Sequence, residues 1–107
     1  MIKVVYHRNY HRLAVEGHAH SGEPGHDLVC AAASALAYTL AGNVANMAVN
    51  GQVRSPSLEM ESGKAEISCN PVSHLKNTVT LVFDAVCVGF ELLAEQYKEY
   101  IKYEIMH

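Results

Sequence analysis

Leu28 to Gly51 reads LVCAAASALAYTLAGNVANMAVNG, and whether this stretch crosses a bilayer or packs inside a globular domain decides the fold. No charged residue occurs from Leu28 to Val53, which is long enough for a membrane span. Yet Thr39, Asn43, Asn46 and Asn50 fall in one narrow sector at ~100° per residue, the stripe of a helix that keeps one side in water. Opposite them, Cys30, Ser34, Ala37, Ala41, Ala45 and Ala48 form a row of small residues that lets a neighbouring element approach closely. The stretch is therefore predicted to be an amphipathic core helix of a soluble protein. Asp27 is its expected N-cap and Gly51 its end.

Working outward, Ile2–Tyr6 and Arg12–Gly17 alternate in polarity around a turn at Asn9, which reads as a hairpin. His18 to His26 carries Gly22, Pro24 and Gly25 and reads as an irregular loop. Beyond the helix, Pro56 marks a break. Leu58 and Met60 then alternate with Glu59 and Glu61, Ser62-Gly63-Lys64 turns, and Ala65, Ile67 and Cys69 alternate back. After Pro71, Leu75, Val79, Val82, Val86, Phe90, Leu93 and Tyr97 recur at helical steps, and Tyr100–Ile105 adds a last strand. The order ββαββα(β) predicts an α+β two-layer sandwich, a mostly antiparallel sheet with two helices on one face.

A chain of 107 residues, half of them hydrophobic, holds one domain, residues 1–107, and one core. A net charge of −3 supplies no basic face for nucleic acid. Three cysteines, with no CxxC pair and no signal-peptide core at Met1–Tyr6, point to reduced thiols and a cytoplasmic protein.

With Asp27 as the cap, Cys30 is the third helical residue. The unpaired N–H groups of that turn would favour a thiolate and would serve as an oxyanion hole. His18, at the end of the second strand and across a glycine-containing loop, is the candidate base. Cys30 also reads as a small buried residue of an alanine-rich helix. Cys69 and Cys87 read as core residues, and His7, His11, His74 and His107 as surface histidines. His18, His20, His26 and Cys30 are possible zinc ligands, although the spacing H-x-H-x5-H-x3-C follows no standard zinc pattern. A non-catalytic binding module is the third reading. Asp27 caps the helix or orients a histidine, and Ser34 supports the packing of Cys30. Gly22 and Gly25 shape the loop or let it open.

The run Gly17-His18-Ala19-His20-Ser21-Gly22-Glu23-Pro24-Gly25-His26-Asp27-Leu28-Val29-Cys30-Ala31-Ala32-Ala33-Ser34 closely resembles the signature of Prp, the ribosomal-processing cysteine protease family. The shared features are a Gly-His-Ala triplet, a glycine-containing loop, Gly-x-Asp-[Ile/Leu]-Val-Cys-Ala, and a serine four residues after the cysteine. Pro24 stands where the family usually has an aromatic residue. The resemblance implies that Cys30 is a nucleophile and His18 its partner; Gly17, Gly22, Glu23, Gly25 and His26 are read beside them as the substrate loop, with Asp27 and Ser34 in support. It implies no metal and no cofactor. The implied substrate is the precursor of large-subunit ribosomal protein twenty-seven, cut after paired phenylalanines, and the implied assembly is a homodimer. Because Cys30 lies on the small, inward face, it is expected to be partly covered, with the loop from His18 to His26 moving to complete the site.

Overall fold

Strand pairing puts the first two strands at the centre of the sheet. The computed structural model describes residues 1–18 and 24–107, the side chains of residues 24–27 excepted. The elements are β1 (Ile2–His7), a 3-10 turn (Arg8–Tyr10), β2 (Arg12–Glu16), α1 (Pro24–Val49), β3 (Val53–Glu61), β4 (Lys64–Pro71), a second 3-10 turn (Ser73–Leu75), α2 (Lys76–Gln96) and β5 (Ile101–Met106). The sheet order is β3-β4-β2-β1-β5; every pairing is antiparallel except β1 with β5. This is the predicted α+β sandwich, with the terminal strand present.

Alternation decides which sheet face is covered. Val4, Tyr6, Leu13, Ile67, Cys69 and Ile101 are buried in one cluster with residues of both helices. On the other face, Lys3 pairs with Glu16 and Glu16 with Lys64, a row of alternating charge left to solvent. The helix α1 lies against β3 and β4, α2 lies against β5, and the two helices pack on each other. Gly89 of α2 makes that approach close, since a β-carbon there would lie 2.7 Å from Leu36 of α1. Both helices are long and apolar enough to cross a membrane, but each lays Val and aromatic or Leu residues on the sheet. The outer stripe of α1 is as predicted: Thr39, Asn43, Asn46 and Asn50 are exposed, with Asn43 donating to the Thr39 carbonyl at 2.8 Å.

Three local expectations are corrected. First, α1 begins at Pro24, so residues 24–27 are its first turn rather than loop, and Asp27 lies inside the helix instead of capping it. Proline favours the first helical position because its fixed φ is already helical and its missing N–H would have had no partner there. Second, Pro56 does not end an element. It sits inside β3, where the register with β4 shifts between Arg54 and Ser57 and Ser55 adopts a φ of 49°. A bulge on an edge strand tolerates a residue with no N–H to give. Third, His11 is no surface histidine but is buried at the β1–β2 turn. The start of α2 covers it: the ring Nε2 lies 2.7 Å from Thr80 Oγ1, and Phe83 meets the ring edge-on at 5.8 Å.

His11 gives the fold a pH dependence. Burial, then the charges of Lys76 and Arg8, hold its pKa below the ordinary value of 6.5, with Asp84 opposing them. The unfolded chain therefore binds a proton that the folded chain still refuses. This contribution is complete above about pH 6.5 and is lost as pH falls through the depressed folded value. The urea midpoint is expected to drop on going from pH 7.5 to 5.5. His11→Asn, which tolerates the same left-handed backbone, should remove most of that drop. An equal drop in both proteins would assign the effect to other groups.

Candidate active site

The β2–β4 register carries the chain to the site. Glu16 pairs with Lys64, and Gly17 N–H then donates to the Gly63 carbonyl at 2.8 Å. The next residue, His18, is thereby delivered to the β3–β4 turn, and its ring lies against Gly63. Its carbonyl accepts from the Met1 amino group at 2.8 Å, and Gly17 has no room for a side chain against the Met1 carbonyl. The end of β2 is thus held from two sides.

The helix α1 supplies the facing wall. Cys30 is half-buried, packed against the core, and lines the same groove as His18. The groove has a volume of about 430 Å³. Cys30, Ser34 and Tyr38 follow one another at four-residue steps along α1 and all border it, with Ala33 and Ala37 beside them. Ile2, Val15 and Met60 add apolar surface; Glu61, Ser62 and Lys64 make a polar rim. Such a cleft, with polar and apolar lining mixed, has room for part of an extended peptide.

His18, Cys30, Gly17 and Ser34 all line this one groove. Ser34 is exposed in the groove rather than packed beneath Cys30. Gly22 and Glu23 lie outside the described residues, as do the side chains of His26 and Asp27; Gly25 falls in the first turn of α1, and most of the segment expected to move is also outside them. The oxyanion hole at the helix start is overturned. With α1 beginning at Pro24, Cys30 is its seventh residue, where the amide bonds within the helix. The favourable end of the helix dipole fades within the first turn, before Cys30. Tyr38, Met60 and the turn from Glu61 to Lys64 were missed. Tyr38 was readable, two helical steps from Cys30; the turn was not, because only the sheet order brings it there.

The other thiols are set apart by burial. Cys69 is pushed up to about 11 and Cys87 to about 12, both chiefly by desolvation, so both stay protonated and unreactive near neutral pH. Of the three cysteines, all among the described residues, Cys30 alone is not buried. Among the described residues no three metal-ligating side chains meet. His20 and the His26 side chain, which the zinc reading needs, lie outside them.

Known proteins share both chain and fold. A ribosomal processing cysteine protease Prp from Staphylococcus aureus is 28% identical over 90 residues, 84% of this chain and 81% of its own. The crystal structure of SMU.848 from Streptococcus mutans superposes with a TM-score of 0.69 at 29% identity, covering 98% of this chain and 91% of the other. An S. aureus structure of the essential ribosomal processing protease Prp, with a covalently linked product peptide, matches in fold with a TM-score of 0.67 at 23% identity, over 98% and 97% of the two chains. The family model for the cysteine protease Prp matches residues 1–102. With its α+β sandwich and a groove bordered by one histidine and one accessible cysteine, this chain belongs to the cysteine protease Prp family.

Proposed function

We propose that the protein removes the N-terminal extension from the precursor of large-subunit ribosomal protein twenty-seven, with Cys30 as nucleophile and His18 as general base and acid. The observation that carries this is the placement of both side chains on one groove. His18 takes the Cys30 proton, and Sγ attacks the scissile carbonyl carbon to form a tetrahedral adduct. As the adduct collapses, the C–N bond breaks, and His18 returns the proton to the departing amine. Water, deprotonated by His18, then hydrolyses the thioester and restores the thiol. No metal or cofactor enters this sequence.

The substrate reading draws on the names of the S. aureus relatives, which are ribosomal processing proteases, and on a related structure with a substrate peptide. An extended segment with paired phenylalanines would lay its rings against Ile2, Ala33, Ala37 and Met60, and its backbone along the turn at Glu61–Lys64. We place this activity in the cytoplasm, in a homodimer. The test is to incubate the protein with the purified precursor and weigh the products. Two fragments divided after the paired phenylalanines are expected, unaffected by a chelator. An intact precursor would sink the substrate assignment.

A further inference from the structure

The β3–β4 turn does more than wall the groove. Gly63 has a φ of +77°, and a β-carbon there would lie 2.8 Å from Cε1 and 3.1 Å from Cδ2 of His18, and closer still to Nε2. The ring is seated where the side chain of position 63 would otherwise be. The turn is tied to the same segment by the Gly17 N–H to Gly63 carbonyl bond at 2.8 Å, and the His18 carbonyl is held by Met1 at 2.8 Å. The His18 backbone is therefore tied to Met1, and its ring, though exposed, lies against the turn.

We propose that Gly63 is a positioning residue for peptide cleavage: the absence of its side chain creates the seat that holds the His18 imidazole in the groove shared with Cys30. This rests on the assignment of His18 as the proton carrier. What a side chain at 63 would meet is the far end of a rotatable ring rather than backbone. The ring gives way and the fold survives, so the damage falls on proton transfer. Displacing a reacting group by about 1 Å costs on the order of 100-fold in rate.

Position 51 supplies the control. Gly51 has nearly the same backbone, with a φ of +72°, but nothing within 4 Å of its would-be side chain. Gly63→Ala and Gly51→Ala should lose similar thermal stability from left-handed strain. Gly63→Asn relieves much of that strain while keeping the β-carbon. Cleavage of the ribosomal precursor and iodoacetamide alkylation of Cys30 are both measured across pH; the second needs no substrate. Among the described residues, the charged groups on the groove or bonded to the His18 backbone, Glu61, Lys64 and the Met1 ammonium, are unchanged in every variant.

Gly63→Ala and Gly63→Asn are expected to lower kcat roughly 10- to 100-fold with KM within about twofold, and to shift the pH profile of Cys30 alkylation. Gly51→Ala is expected to leave kcat and that profile unchanged. Wild-type kcat and profile in Gly63→Asn, with His18→Ala inactive, would overturn the positioning role alone. Full activity in His18→Ala would instead overturn the assignment of His18 on which it rests.

Discussion

Cys30→Ala is expected to fold normally and to cut no precursor, with kcat/KM reduced by ~10⁴-fold or more. The folding half of this follows from position. Cys30 is half-buried on a helix rich in alanine, so alanine keeps the helix propensity and leaves little cavity. The catalytic half follows from chemistry, because no other thiol can substitute: Cys69 and Cys87 are buried and held as thiols. His18→Ala should cost less, ~10² to 10⁴-fold, since a general base accelerates a nucleophile that still exists. Circular dichroism and a peptide-cleavage assay on both variants check the pair. Cleavage by Cys30→Ala at the wild-type rate would remove the thioester from the mechanism.

Phe83→Ala is expected to be the most damaging core truncation, at about 3–5 kcal/mol. Phe83 is fully buried where α2 meets the β1–β2 turn, with its ring stacked on Tyr6 at 6.1 Å and edge-on to His11 at 5.8 Å. Removing it leaves a cavity lined by two rings that are themselves anchored: Tyr6 donates to Asp84 at 2.8 Å, and His11 is bonded to Thr80. Those bonds oppose collapse into the space, so the cost should lie toward the upper end. For a domain of this size the midpoint of thermal unfolding should fall by well over ~10 °C. A loss below about 1 kcal/mol would mean that the site repacks freely.

Much of the architecture was legible because it depends on local periodicity. Two-residue alternation marked β1, β2 and the β3–β4 hairpin, and helical spacing marked α2. The asparagine stripe of α1 identified a core helix with one wet face. The same periodicity placed Cys69 and Cys87 in the core and Cys30 on a partly covered face. The choice of His18 and Cys30 as candidates had a different source: both lie in one short window, and that window resembles the Prp signature.

The misreadings share one cause. Asp27 and Pro24 are both good helix starters, and nothing local ranks them, yet the choice decides whether Cys30 meets a free helix end. His11 sits in a turn, where residues are usually exposed, until α2 arrives from elsewhere in the chain to cover it. Pro56 breaks strands unless it falls on an edge bulge, and edge position belongs to the sheet rather than to the strand.

The sequence by itself determined the order of the elements and most of their buried faces, and it named His18 and Cys30 as the candidate side chains. Only the tertiary structure decided what those side chains face. Inserting β4 between β2 and β3 sets Gly63 beside Gly17, so the turn becomes both a groove wall and the seat of the His18 ring. Periodicity records which way a side chain points, but not which strand lies next to it. That neighbour is chosen by the hydrogen bonding and packing of residues far apart in the chain.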